Sequence, residues 1–153
     1  MCNLKNIIIF VLAVLLLISC AMQVAMVSEE EDLMAKAMEP PEGKALVYII
    51  RPSNLGKPFK FEVNCDGVYI GGTAGMLYIY VIVDPGEHLF VGISENTSEL
   101  EISVEAGKIY YIRQRPMIGL FKGTNKLILE TDEIGREMLL ECTLSADHPV
   151  KQL

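Results

Sequence analysis

Phe59-Lys60-Phe61-Glu62-Val63-Asn64-Cys65-Asp66-Gly67-Val68-Tyr69-Ile70 carries the pattern from which the fold follows. Apolar Phe59, Phe61, Val63 and Cys65 alternate with polar Lys60, Glu62 and Asn64. Side chains of a strand point to opposite faces in turn, so one face is buried and the other solvated. Asp66-Gly67 then marks a tight hairpin, because Gly accepts positive φ, and Val68-Tyr69-Ile70 returns.

On either side the same grammar continues. Leu46-Val47-Tyr48-Ile49-Ile50 is a strand stopped by Pro52. Met76 to Val83 is a continuous apolar run, as expected of a strand buried on both faces. Asp84-Pro85-Gly86 turns the chain into His88 to Ile93. Leu100, Ile102 and Val104 alternate with acids and a serine, and Glu105-Ala106-Gly107-Lys108 leads into Ile109-Tyr110-Tyr111-Ile112-Arg113. Leu127-Ile128-Leu129 is a further strand. Seven or eight short strands with turns every 8–12 residues predict a mainly all-β fold, a small antiparallel β-sandwich over residues 44–145. Residues 146–153 form a tail.

Two readings hold for residues 131–144. Thr131 or Asp132 caps a short C-terminal helix with Ile134, Met138 and Cys142 on one face, or a hairpin turns about Gly135. Gly135 costs a helix about 1 kcal/mol, whereas the acidic first turn favours one.

The N-terminus is of another kind. Lys5 precedes the apolar run Ile7 to Ile18, and Leu17-Ile18-Ser19-Cys20 ends it. This resembles the lipobox of bacterial lipoproteins, with residues 1–19 as signal peptide and cleavage between Ser19 and Cys20. The resemblance implies a thioether-linked lipid on Cys20, the one covalent group expected, and attachment to a membrane through it; no cofactor is expected. Ala21 rather than Asp follows, which such lipoproteins share when sorted to an outer membrane, facing the periplasm; a cell with one membrane would carry the protein on its outer face. The alternative is an uncleaved membrane helix from Ile7 to Val27, because a helix needs about 20 apolar residues to span. Residues 20–43 read as lipidated N-terminus and flexible tether. Glu29-Glu30-Glu31-Asp32 reads as a solvated spacer rather than a contact for a basic partner, with a short capped helix from Ser28 also allowed.

The whole chain of 153 residues has a net charge of −7, and Lys5 is the only charge before Cys20. Such acidity argues against nucleic acid and against docking on anionic head groups. Cys65 and Cys142 either pair in an oxidising compartment or stay buried and free.

Asp66 to Gly71, Val83 to His88 and Val104 to Arg113 resemble a small bacterial lipoprotein family with a domain of unknown function. They are also similar to PEGA-type modules, small β-sandwiches of the cell surface. The resemblance implies a fold and a place, and no reaction or ligand.

No catalytic constellation emerges. His88 and His148 are the only histidines, no Gly-x-Ser-x-Gly occurs, and no metal site is expected. Gly71-Gly72-Thr73-Ala74-Gly75 lacks the Lys-Ser/Thr of a phosphate loop and reads as a turn. Asp66 and Asp84 are explained by their turns. Candidate contacts for an envelope protein or cell-wall glycan are Tyr110 or Tyr111, one of them outward, with Arg113 and Arg115. Ile118, Leu120 and Phe121, in an apolar loop after Arg115-Pro116, either fold onto the core or form an exposed patch. A hydrolase of envelope polymers and a structural spacer are the competing classes.

Overall fold

The computed structural model describes residues 27–153, and the readings for Ser19 and Cys20 lie outside them. Nine strands form two sheets: β1 (Ala45–Arg51), β2 (Phe61–Cys65), β3 (Val68–Thr73), β4 (Leu77–Val83), β5 (Gly86–Ile93), β6 (Thr97–Val104), β7 (Ile109–Met117), β8 (Thr124–Glu130) and β9 (Thr143–Leu144). One sheet has the order β8-β7-β1-β4-β9, the other β3-β2-β5-β6. Among the described residues two helices accompany them, α1 (Glu29–Lys36) and α2 (Asp132–Glu141).

The expected sandwich is present. Ala45, Val47 and Ile49 of β1, Ile79 and Val81 of β4 and Ile112 of β7 meet Val63, Cys65, Ile70, Phe90, Ile102 and Val104 of the second sheet. One detail differs from an antiparallel sandwich. β1 pairs with β7 in parallel, and β9 with β4 in parallel, so the five-stranded sheet is mixed. β1 is central, with a strand on each side and both faces covered, which is why all seven of its residues are buried.

The far face of this sheet is covered by the helices. Tyr48, Tyr78, Tyr80 and Tyr111 lie there with Ala35, Met138, Leu139 and Cys142. Tyr48 and Tyr111 stack at 5.7 Å between ring centroids. The helix reading of residues 131–144 holds, with the Thr131 hydroxyl accepting from Ile134 N–H at 3.5 Å. Gly135 earns its place by packing, since a Cβ there would overlap the Tyr111 ring.

Three expectations need correction, and one open choice is decided. The stretch expected as a flexible tether contains α1, capped by Ser28 and docked on the sheet. Asp32 is buried and its Oδ1 accepts Leu144 N–H at 2.7 Å, while Tyr48 Oη donates to Ala35 O at 2.5 Å. The acidic run is therefore partly structural, because one of its carboxylates satisfies a backbone group 112 residues away. Second, of the two readings left open for Cys65 and Cys142 the buried, free one is found, since Cys65 lies between the sheets and Cys142 under the helices. Third, Gly71, Gly72 and Thr73 belong to β3, and the glycines leave room for the C-terminal segment, whose Asp147 O accepts Gly72 N–H at 2.9 Å. Fourth, residues 146–153 are part of the fold. Ile82 N–H donates to Lys151 O and Leu153 N–H to Ile82 O, each at 2.9 Å.

Candidate functional site

At the end of the sandwich where β1 finishes, two loops are held by two charged groups. The first is Arg51, whose guanidinium is buried. Nη1 donates to Phe59 O at 2.8 Å, and Nη2 to Leu55 O at 2.8 Å and Gly56 O at 2.9 Å. The guanidinium lies 3.9 Å over the Phe61 ring. Burial lowers its pKa to about 10, which leaves it charged at neutral pH. Pro52 ends the strand, and Arg51 then gathers three carbonyls of the loop of residues 52–60, of which Gly56 O also accepts Phe59 N–H at 3.0 Å.

The second group is Glu95, on the turn between β5 and β6. Its Oε2 accepts Leu120 N–H at 2.8 Å, and its Oε1 accepts Phe121 N–H at 2.6 Å, Gly123 N–H at 2.7 Å and Lys122 N–H. These donors, Gly123 first, hold the carboxyl below the usual carboxylate range. Gly119 is required in the loop, because a Cβ would strike the Glu95 carboxylate and Gly123.

A buried polar cluster fixes the turn that carries Glu95. Thr73 Oγ1 donates to Gln114 Oε1, Gln114 Nε2 to Asn125 Oδ1 at 3.3 Å, and Asn125 Nδ2 to Gly92 O and Ser94 Oγ, each at 3.1 Å. Asn96 Nδ2 donates to Asn125 O at 2.9 Å. A buried network of this kind is stable only when its members are satisfied, and here it ties β3, β5, β7 and β8 together.

The outcome is an apolar end with a rigid frame. Ile118, Leu120 and Phe121 are 87%, 88% and 84% exposed, and Leu55, Phe59 and Met117 are exposed beside them. Leu55, Phe59, Phe61, Met117 and Phe121 border a cleft of about 170 Å³. Of the two readings for the loop, the exposed patch is the one found.

The tyrosines are placed differently from the outward position expected for one of them. Tyr111 is buried under α2, and Tyr110 is half-buried against the inter-sheet core, with its Oη accepting Glu105 N–H at 3.0 Å. Both faces of β7 are covered, so alternation alone exposes neither ring. Arg113 pairs with Glu130, and Arg115 is exposed on β8's partner position, opposite Lys126. A groove of about 310 Å³ between the helices is bordered by Tyr111, but its cations are engaged, Lys36 with Asp32 at 2.8 Å and Arg136 with Asp132 at 2.9 Å.

At the opposite end of β1, Cys65, Asp66 and His88 bring potential ligand atoms within 4.8 Å of one another. They satisfy each other as a hydrogen-bonded turn. His88 Nδ1 meets Asp66 Oδ2 at 2.6 Å, His88 Nε2 meets Asp84 O at 2.8 Å, and Leu89 N–H donates to Asp66 Oδ1 at 2.9 Å. Burial pushes the Cys65 thiol up to about 12, which keeps it protonated. Asp84 pairs with Lys44 at 2.8 Å. His148 lies buried against Tyr80, with Nε2 at Tyr80 O.

Arg51, Leu55, Phe59 and Glu95 had no site role on sequence grounds. Residues 43–61 and 106–129 contain no Asp or Glu in a chain with 20 of them, and that charge pattern was the available signal. Nothing in Ser94-Glu95-Asn96 announces a partner 25 residues away.

Residues 41–124 match the model of a family described as "Protein of unknown function (DUF2846)". The match runs from before β1 to the start of β8 and includes both loops and Glu95. An uncharacterized protein of Haemophilus influenzae is 34% identical over 140 residues, which cover 90% of this chain and 83% of that protein. The chain belongs to this family of unknown function.

Proposed function

We propose that this member of the family is a lipid-anchored envelope protein that acts by binding rather than by catalysis. Cys20 carries the lipid, after cleavage behind Ser19, and the apolar end of the sandwich is the working surface. In a cell with two membranes the protein sits on the outer membrane and faces the periplasm.

The observation that carries the binding reading is the loop held by Glu95. A large apolar surface normally folds inward; here four backbone donors on one carboxylate keep Ile118, Leu120 and Phe121 in solvent. Exposed apolar patches of this kind mark contact sites. Against hydrolysis stands the engagement of the acid and base candidates with one another or with backbone: His88 with Asp66 and Asp84 O, Asp84 with Lys44, His148 with Tyr80 O. The tyrosine-based glycan site loses support from the burial of Tyr111.

A photo-crosslinking residue in place of Phe121, in the full-length chain in cells, tests this. Adducts with an envelope component are expected, and their loss on Ile118→Ser with Leu120→Ser. Adducts equally abundant from a position on α2 would contradict a dedicated surface.

A further inference from the structure

The docking of α1 changes how far a lipid on Cys20 could let the domain stray. From Cys20 to Val27 the chain has seven peptide steps, at most about 25 Å when extended. A globular body of this size has a radius of gyration of roughly 14 Å, so the leash is shorter than the body is wide. The domain must lie close to the bilayer that holds its lipid, and some part of its surface must face it.

We infer that the apolar end is that part, and that Ile118, Leu120 and Phe121 enter the head-group layer of a membrane containing anionic phospholipid. This rests on the anchoring reading above. Three observations choose this end and this occupant. The side chains at the tip are aliphatic and aromatic, the composition that partitions into the interface. The backbone donors of Leu120, Phe121, Lys122 and Gly123 are already taken by Glu95, so the tip can leave water without stranding them. The cations Lys57, Arg115, Lys122 and Lys126 accompany the loops, and against them stands Glu95, whose carboxylate is shared among four backbone N–H groups.

The net charge of −7 describes the whole chain and not this end. Elsewhere the exposed apolar residues have the opposite setting. Leu33 and Met34 on α1 follow Glu29, Glu30 and Glu31, and Leu140 on α2 lies between Glu137 and Glu141. An anionic surface repels those patches and attracts the loop end.

The chain contains no tryptophan, so Leu120→Trp places a single emitter at the tip. The lipidated full-length protein is reconstituted in vesicles of phosphatidylglycerol and phosphatidylethanolamine with brominated acyl chains. The expected result is a blue-shifted, bromine-quenched emission that reverts in vesicles of phosphatidylcholine alone. Neutralising Lys122 and Lys126 should lower the inserted fraction relative to the free by about fivefold per lysine. I118W gives the same readout if L120W disturbs the loop, and L140W should stay solvent-like. Water-like emission from both loop variants in the anionic vesicles overturns the inference, as does a shift that appears only when an envelope protein is added. The acyl mass on Cys20, read on the same preparation, separates loss of insertion from loss of anchoring.

Discussion

Glu95 Oε2 accepts the backbone N–H of Leu120 at 2.8 Å, and the same carboxylate takes the next three N–H groups of the chain. One side chain on the β5–β6 turn thus sets the shape of a loop between β7 and β8. Glu95→Ala should leave the sandwich folded and set the loop free. Amide exchange of residues 120–123 is expected to accelerate while that of β1 is unchanged. Unaltered protection at 120–123 would show that the loop holds its own shape.

Gly135→Ala pits two effects against each other. Alanine favours a helix by about 1 kcal/mol over glycine. The new methyl group would overlap the Tyr111 ring, and overpacking costs about 1–3 kcal/mol. Net destabilisation is expected in urea titration. A gain in stability would mean that α2 does not lie on Tyr111 as described.

The Asp66–His88 pair makes stability depend on pH. Burial is the largest single influence and opposes the His88 charge, but the hydrogen bonds to Asp66 and to Asp84 O together with the two nearby carboxylates outweigh it and raise the pKa above 6.5. Burial likewise opposes the Asp66 charge, and His88 and Leu89 N–H outweigh it, lowering the pKa below 3.8. The raised histidine contributes fully below 6.5 and loses its contribution as pH climbs through its folded pKa. The lowered aspartate contributes above 3.8 and loses its share as pH falls through its own. His88→Gln should therefore cost most between those values, by up to about 1 kcal/mol for a partly exposed pair, and least in alkaline solution. A cost independent of pH would contradict the ion pair.

Cys65 and Cys142 sit in separate apolar clusters, and burial pushes each thiol up to about 12. Both should resist an aqueous thiol reagent in the native protein and react on unfolding. An unchanged melting temperature with reductant is expected, and a marked drop would reveal a disulfide.

Much of the fold is legible in the sequence because it depends on near neighbours. The alternation before Asp66-Gly67, the apolar run from Met76 to Val83 and the Thr131 cap each act within a few residues, and each element is found there, although Phe59 falls before β2 and is exposed and Met76 falls before β4. What escapes is long-range. Asp32 reads as one more solvated acid, and only its meeting with Leu144 N–H makes it structural. Gly71 and Gly72 read as a turn, although the space they leave is filled by the chain at Asp147. Alternation correctly sets Tyr110 and Tyr111 on opposite faces, but cannot tell that α2 covers one of them. The site follows the same division. The apolar loop is visible in Met117 to Phe121, while the Arg51 and Glu95 contacts that shape it join distant segments.

The most direct test of lipid anchoring at Cys20 is the mass of the N-terminal peptide of the protein purified from membranes of cells that make the full-length chain. The expected chain begins at Cys20 and carries a diacylglycerol thioether with a further acyl group on its amine, and a Cys20→Ala variant is neither lipidated nor cut there. A chain that still begins at Met1, or an unmodified Cys20, would contradict it.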